Sequence, residues 1–591
     1  MTEPFADRVA PPPPPPAAPR RTGSGCLLTA MLVVAVFVGL GFLGLAFTFF
    51  LGGDPSVPED GILLVGTEGE FPETLPYAPF LFADAGPSFS ELIQGMSRAA
   101  EDPRIGALHL RVGNTRMGWA RARELRDAAL GFREAGKRVT ASLEYAGLMD
   151  YYLASAADRI HMHPRGQLGL YGISMEVMFF AGLFEKLGIE AQFEAIGPYK
   201  NAPDVFTGSG MSPEHREQLE SLGEEFRSRT VAAVAEARGI TPGDADRLLA
   251  GGPYTASRAL EHGLVDVLSY LDEIKEDVEE ARLVNLADYV ASSRRASPRA
   301  EARVAVVHVD GAILPGKSRE DLSVGRVAGA TTVAEALAWA EEEESVDAVV
   351  LRVSSPGGSD SASDTIWRAA DRVRAVKPLV ASFGDTAASG GYWVSTAARH
   401  VVAQPLSVTG SIGVYVGKFS IGELLEKIGI AADLVSAGGR PNWLSPSRPL
   451  DEQDLERLRE GVAEIYGVFL ERVSAARNMT TAQVDAIGQG RVFTGGQAIA
   501  VGLVDQVGGI EDAVRLAATE AGFPDDAAIE WVSLPEPPTL AEAIEAESAL
   551  AVCGTGSRCS TRRSGARGWR CCRSCPSSAS RNPPARQRPL R

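Results

Sequence analysis

Residues 385 to 391 read Asp-Thr-Ala-Ala-Ser-Gly-Gly, a turn of small residues that would leave Ser389 at a helix N-terminus. A serine hydroxyl is a weak nucleophile until a neighbouring base takes its proton. Histidine is the usual base, but His400 sits at the entry to an apolar strand and reads as strand-end polar filler. Lysine can serve when burial lowers its pKa from about 10.4 toward about 7 to 8, because desolvation disfavours the ammonium form. Lys200, which closes Gly-Pro-Tyr-Lys at 197 to 200, is the candidate. An arginine could not replace it, since arginine does not deprotonate. Ahead of the serine turn lies Ser355-Pro356-Gly357-Gly358. Glycine lets backbone N–H groups face a ligand, so the amides of Gly358 and Gly390 would form an oxyanion pocket, helped by the helix dipole.

These elements sit in a chain that repeats itself. Matches recur at an offset of 241 residues: Ile105 to Val112 (IGALHLRV) against Val346 to Val353 (VDAVVLRV), and Phe184 to Ile189 (FEKLGI) against Leu425 to Ile430 (LEKIGI). Later the offset falls to 239, where GLVD at 263 to 266 returns at 502 to 505. The body is therefore two copies of one domain, 55–290 and 300–525, a periodicity that decides the architecture. Where the copies differ, function has been divided. Opposite Ser355 to Gly358 the first copy has Asn114, Thr115, Arg116 and Met117; opposite Ser389 it has Leu148, with Met149 and Asp150 opposite the two glycines. Ser411, in TGSIGV, faces Leu170. Conversely, the second copy places Gly438, Gly439, Arg440 and Pro441 where the first has Lys200. One half holds the serine and glycine loop, the other the lysine.

Each copy alternates short β-branched runs with helical patterns, which predicts an α/β fold with a largely parallel sheet. In the second copy 304–309, 348–353, 379–383 and 401–403 are expected strands. A helix is expected over 363–376, with Ile366, Ala370, Val373 and Arg374 on one face, and another from Gly390 through Ala398. A longer helix carries Leu455, Leu458, Val462, Ile465 and Phe469 at the spacing of one buried face.

The 591 residues carry a net charge of −18, unevenly placed. The last 41 residues hold ten arginines, five of the six cysteines and no acid; the other 48 Lys and Arg face 76 Asp and Glu, a net −28. So acidic a body is no candidate for sequence-independent nucleic-acid binding. Cysteine is absent between Leu27 and Val552, which excludes disulfides, thiol catalysis and Cys-ligated zinc from the body. Residues 1–25, with the run Pro11 to Pro16, read as extended, unpacked chain. Residues 26–51 contain no charge. Helical, they would reach about 39 Å, enough to cross a bilayer core of about 30 Å. Arg8, Arg20 and Arg21 precede the span and Asp54, Glu59 and Asp60 follow it, so the N-terminus is expected in the cytoplasm and the body outside. The extension over 526–591 lacks apolar periodicity from about residue 551 and reads there as disordered, a non-native addition.

With these motifs in order and in tandem, the sequence resembles the signal peptide peptidase A family in its double-length, protease IV form, of the Clp and crotonase superfamily. The resemblance covers about 55–525 and rests on SPGGS at 355–359, AASGGYW at 387–393, TGSIG at 409–413 and GPYK at 197–200. It implies a serine endopeptidase with Ser389 as nucleophile, Lys200 as general base, Ser411 orienting the lysine amine, and Gly358 and Gly390 as oxyanion donors. It further implies hydrophobic remnants of signal peptides as substrates, anchorage in the inner membrane, a homotetramer and no cofactor. Two other readings are an acyl-CoA enzyme of the crotonase kind and an inactive membrane scaffold. His161 and His163 have no third metal ligand in view, SPGGS lacks the ending of a phosphate loop, and Asp204, Asp360 and Asp385 read as solvated loop carboxylates.

Overall fold

A computed structural model describes residues 57–75, 87–274, 282–296, 300–321, 323–439 and 441–536. The segments expected to be extended chain and a membrane helix, 1–25 and 26–51, and the Arg/Cys-rich tail lie outside the described residues. Among the described residues no helix is long and apolar enough to cross a membrane.

Two mostly parallel sheets form the body. In the first, the central strands Gly61–Gly66, Ile105–Val112, Arg138–Gly147 and Arg159–Gly169 lie side by side in chain order. The second repeats this with Ala302–Asp310, Ala348–Ser355, Leu379–Ala388 and His400–Ala403. Past the expected end of the second repeat, Ile529–Leu534 pairs parallel with Ala302–Asp310 as the sheet's edge. Side chains alternate across the strands, as a two-residue period demands. Val304 and Val306 point into a core shared with the first repeat, whereas Ala305, Val307 and Val309 fill the second repeat's own core. The helix Ile510–Glu520 bridges the halves by burying Ile510, Ala513, Val514 and Ala517 in the shared core.

The helix expected over 363–376 runs Asp360–Arg374 and buries Ile366, Ala370 and Val373; Arg374 instead points outward and pairs with Asp371. A cap explains the early start: Ser359 Oγ accepts the amide of Ala362. The long helix spans Glu452–Arg477 and its buried face is Leu458, Val462, Tyr466, Phe469 and Val473. Leu455 and Ile465 flank that face half-buried, because 3.6 residues per turn drift from a strict 3,4 alternation.

The halves are also locked through charge. Arg352, fully buried in the second sheet, donates to Glu73 Oε1 at 3.1 Å and Glu124 Oε1 at 2.8 Å, both from the first repeat. Burial raises the Glu124 carboxyl to about 7 against the pull of Arg352. Burial also pushes Glu73 upward, but Arg352 and Arg121 outweigh it and hold that carboxyl below its ordinary value.

Candidate active site

The strand Leu379–Ala388 delivers Ser389 to the N-terminus of the short helix Gly390–Ser395. Ser389 adopts φ 54° and ψ −118°, a conformation rare for a side chain larger than glycine and common where a nucleophile is held at a sharp strand-to-helix turn. Backbone bonds hold it there: its amide donates to Gly410 O at 2.9 Å, and its carbonyl accepts Trp393 N at 2.9 Å. Ser411 also has positive φ, 51°, and its amide donates to Arg491 O at 2.7 Å.

Lys200 arrives from the other repeat. An antiparallel ribbon joins the halves, Glu190–Ala195 of the first pairing with Tyr415–Ser420 of the second. Beyond it, Ile196 N donates to Val414 O at 3.0 Å and Tyr199 N to Gln489 O at 3.1 Å, so the lysine loop is threaded along the second repeat. Gly197, at φ 96°, packs so closely on Gln489 that a side chain there would strike its backbone. Gly490, at φ 78°, leaves the space for Lys200 itself, whose amide nitrogen lies 2.5 Å from where a Cβ would stand.

The result is one cluster. Lys200 Nζ is 3.2 Å from Ser389 Oγ, 2.8 Å from Ser411 Oγ and 3.0 Å from Ser411 O. Lys200 is 6% exposed, and burial brings its amine down to about 7. Among the described residues no carboxylate pairs with it to restore the charge; its remaining neighbour is the Tyr415 ring, 6.0 Å away. A neutral amine beside a hydroxyl can take a proton from it near neutral pH.

Beside the serine, the glycine loop is shaped by an isolated bridge. Ile313 N donates to Gly357 O at 2.9 Å and Ser359 N to Ile313 O at 2.8 Å, which leaves the intervening amide of Gly358 turned the other way. Gly357, at φ 100°, has no room for a Cβ, which would lie 2.7 Å from Gly390 N and 2.9 Å from Ser389 Cβ. Gly358 N itself lies 3.2 Å from where a Cβ on Gly390 would stand, so the two amides border one small space. Within the described residues neither amide donates to a protein acceptor in a loop or turn.

The first repeat has closed the equivalent space. Leu148 opens a helix, Leu148–Ala154, and Leu170 is fully buried. The Asp150 carboxylate, which stands where the second repeat has Gly391, takes the amides of Gly147, at 2.8 Å, and Thr115, at 3.1 Å.

The remaining candidates lie elsewhere. His400 is 3.7 Å from Glu520 on the far end of its strand, and buried His161 meets Ser269 Oγ at 3.0 Å. His163 stacks edge-on with Tyr270. No group of three metal-ligating side chains occurs among the described residues. Asp360 is exposed, and Asp204 accepts from Asn201 Nδ2 at 3.1 Å. Asp385 departs from the expectation of a solvated loop acid. It accepts the amides of Gly118 and Arg121, each at 3.0 Å, and pairs with the Arg121 guanidinium. Four residues before Ser389, it clips the nucleophile strand to the first repeat. The sequence carries no local signal for this contact, because its partners stand 264 and 267 positions away.

Comparison with known proteins bears on the same residues. The profile of peptidase family S49 matches 131–285 and 371–523, once in each repeat. The chain belongs to peptidase family S49. Among S49 relatives it is 32% identical to the chloroplastic serine protease SPPA of Arabidopsis thaliana over 77% of this chain and 69% of that protein. It is 30% identical to Protease 4 of Haemophilus influenzae over 86% and 87%, and 33% identical to Protease 4 of Salmonella typhi over 73% and 72%. A solved ClpP1 variant of Listeria monocytogenes matches 36% of this chain and 94% of its own at 14% identity, with a TM-score of 0.23, too slight a likeness to carry an argument. As an S49 member the chain is a serine peptidase built on two tandem α/β repeats.

Proposed function

We propose that this S49 peptidase works through a Ser389–Lys200 dyad shared between its repeats, is held at the membrane by residues 26–51, and degrades short hydrophobic peptides, among them cleaved signal peptides. The observation that carries the dyad is the 3.2 Å approach of a buried amine, its pKa near 7, to the serine hydroxyl.

In this mechanism neutral Lys200 takes the Ser389 proton as Oγ attacks the scissile carbonyl carbon. The oxygen of that carbonyl becomes an oxyanion, stabilised by the amides of Gly358 and Gly390. As the C–N bond breaks, the Lys200 ammonium gives its proton to the leaving amine, and an acyl group remains on Ser389. Water then attacks the ester; Lys200 accepts its proton and returns it to Ser389 Oγ as the acid leaves. Ser411 Oγ and O fix the amine so that its lone pair is aimed at Ser389.

The signal-peptide substrate is supported by the name of a relative, the putative signal peptide peptidase SppA of Enterococcus faecium, 34% identical over 32% of this chain, and the membrane location by the uncharged 26-residue span. The serine and glycine motifs support a fold of the Clp and crotonase type. Hydrolysis of hydrophobic peptide esters by the full-length protein in detergent tests the reading. Undiminished turnover in either Ser389→Ala or Lys200→Ala would refute it.

A further inference from the structure

The strand that carries Ser389 has a joint in it. On one edge Leu379–Ala388 leaves His400–Ala403 after Phe383↔Ala403 and takes up Val408–Gly410 at Thr386↔Val408. On the other edge its register with Ala348–Ser355 shifts between Phe383↔Val353 and Ala387↔Ser355. Gly384 and Asp385 therefore fall outside the ladder on both sides, and a break of this kind re-aims the end of a strand. From its own repeat the joint is gripped by Ser407 Oγ, which donates to Gly384 O at 2.8 Å. The first repeat presses on both residues: a Cβ on Gly384 would lie 2.7 Å from Glu73 Oε1, and the Asp385 carboxylate meets Gly118 and Arg121.

Comparison of the two copies shows what Asp385 replaces. By the offset of 241, Gly118 stands where the second repeat has Ser359, and Arg121 where it has Ala362. Ser359 Oγ caps its own helix by accepting the Ala362 amide. The corresponding helix, Trp119–Glu134, follows Gly118, which has no side chain to offer. Asp385 fills that place from the other repeat. Its Oδ1 accepts the Arg121 amide, the counterpart of Ala362, and its Oδ2 accepts the Gly118 amide, each at 3.0 Å. The Arg121 guanidinium, which also donates to Phe71 O, pairs with the same carboxylate. The three atoms nearest a Cβ on Gly118 would all belong to the Asp385 carboxyl group, at 2.1 to 2.5 Å. Loss of the serine is what admits the aspartate. At the position of Asp385 the first repeat has Glu144, which is exposed.

We propose that Asp385 is a positioning residue for the nucleophile: by capping a helix of the first repeat it fixes the joint in the Ser389 strand, and with it the place of Ser389 Oγ relative to Lys200. The helix is a firm anchor, since Leu125, Ala129 and Phe132 bury it in the core of the first repeat. Asp385 stands four residues before Ser389, so a shift at the joint is carried along the strand to the hydroxyl. A displacement of about 1 Å at a reacting group costs on the order of 10²-fold in rate. The proposal rests on the Ser389–Lys200 reading; Asp385 acts through the backbone and takes no part in the proton transfers.

Two variants of the full-length protein in detergent separate positioning from stability. Asp385→Ala removes the clip and the cap together. Gly118→Ser combined with Asp385→Ala gives the helix a cap of its own, as Ser359 does in the other repeat, in the space the carboxylate vacates, and leaves the joint unclipped. It also keeps the test open where the single variant does not fold. Hydrolysis of a hydrophobic peptide ester gives kcat per folded molecule and KM, and thermal unfolding gives Tm. The expected result is a kcat about tenfold or more below wild type in both variants, KM within about twofold, and a Tm that rises from the single to the double variant. A kcat that recovers with the Tm in the double variant overturns the proposal, because Asp385 would then act only by holding the helix. So does a wild-type kcat in Asp385→Ala. Ser389→Ala in the same assay keeps the two readings apart. If it turns over normally the dyad fails, whereas an inert Ser389→Ala beside an unimpaired Asp385→Ala sinks the positioning role alone.

Discussion

Lys200 Nζ stands 3.2 Å from Ser389 Oγ, although 189 positions and two separate sheets divide them. The distance is set by the ribbon between Glu190–Ala195 and Tyr415–Ser420, so the proposed dyad exists only when the repeats are docked. The lysine pays for its place in desolvation, and that cost is what leaves its amine free to accept a proton near neutral pH.

Replacing either member should remove catalysis without unfolding the protein. Ser389→Ala and Lys200→Ala are each expected to lower kcat by about 10³-fold or more, with nearly equal losses because the two act as a unit. Lys200→Arg should fail as completely, since a guanidinium cannot take the proton. Steady-state kinetics with circular dichroism as the fold control checks this.

Activity should follow the free amine. With Lys200 near 7, kcat/KM is expected to rise about tenfold per pH unit below 7 and level off above it. The stability consequence has the same origin. Between about 7 and 10.5 the unfolded chain holds a proton that the folded chain has released, so stability rises with pH across that window. Lys200→Met should abolish this component of the slope in Tm against pH. Its gain in stability over the wild type should be largest below pH 7, where the native lysine is charged and buried.

The glycine loop should tolerate no side chain. Gly357→Ala places a methyl at φ 100° against Gly390 N and Ser389 Cβ, and is expected to cost about 1 to 3 kcal/mol of stability. It should also lower kcat by about 10² or more by moving the oxyanion amides, with a smaller change in KM. Chemical denaturation and kinetics on the same preparation separate the two effects.

Much of this was legible from the chain because it is written twice. Comparison of Ser389 with Leu148, and of Lys200 with the Gly-Gly-Arg-Pro segment, isolates both reacting groups without other sequences. Strands such as Ala348–Ser355 follow from β-branched runs alone. Cross-repeat polar contacts did not follow from it. Asp385 reads as a loop acid until Gly118 and Arg121 are folded against it, and nothing near Arg352 in sequence announces Glu73 or Glu124. The buried face of Glu452–Arg477 also shifted, since Tyr466 rather than Ile465 falls on the helical stripe.

Breaking that inter-repeat ion cluster should loosen the docking on which the dyad depends. Arg352→Met leaves Glu73 and Glu124 buried without their cation and is expected to cost about 3 to 5 kcal/mol. Urea unfolding measures the loss. Activity per folded molecule should fall as well, because Arg352 joins the repeats that supply Lys200 and Ser389.

The shared dyad is tested most directly by locating the adduct of a serine-reactive phosphonate probe in the full-length protein by mass spectrometry. The account predicts one modified residue, Ser389, with labelling at pH 7.5 slowed about 100-fold or more in folded Lys200→Ala. An adduct on another residue, or wild-type labelling of Ser389 in the absence of Lys200, would contradict it.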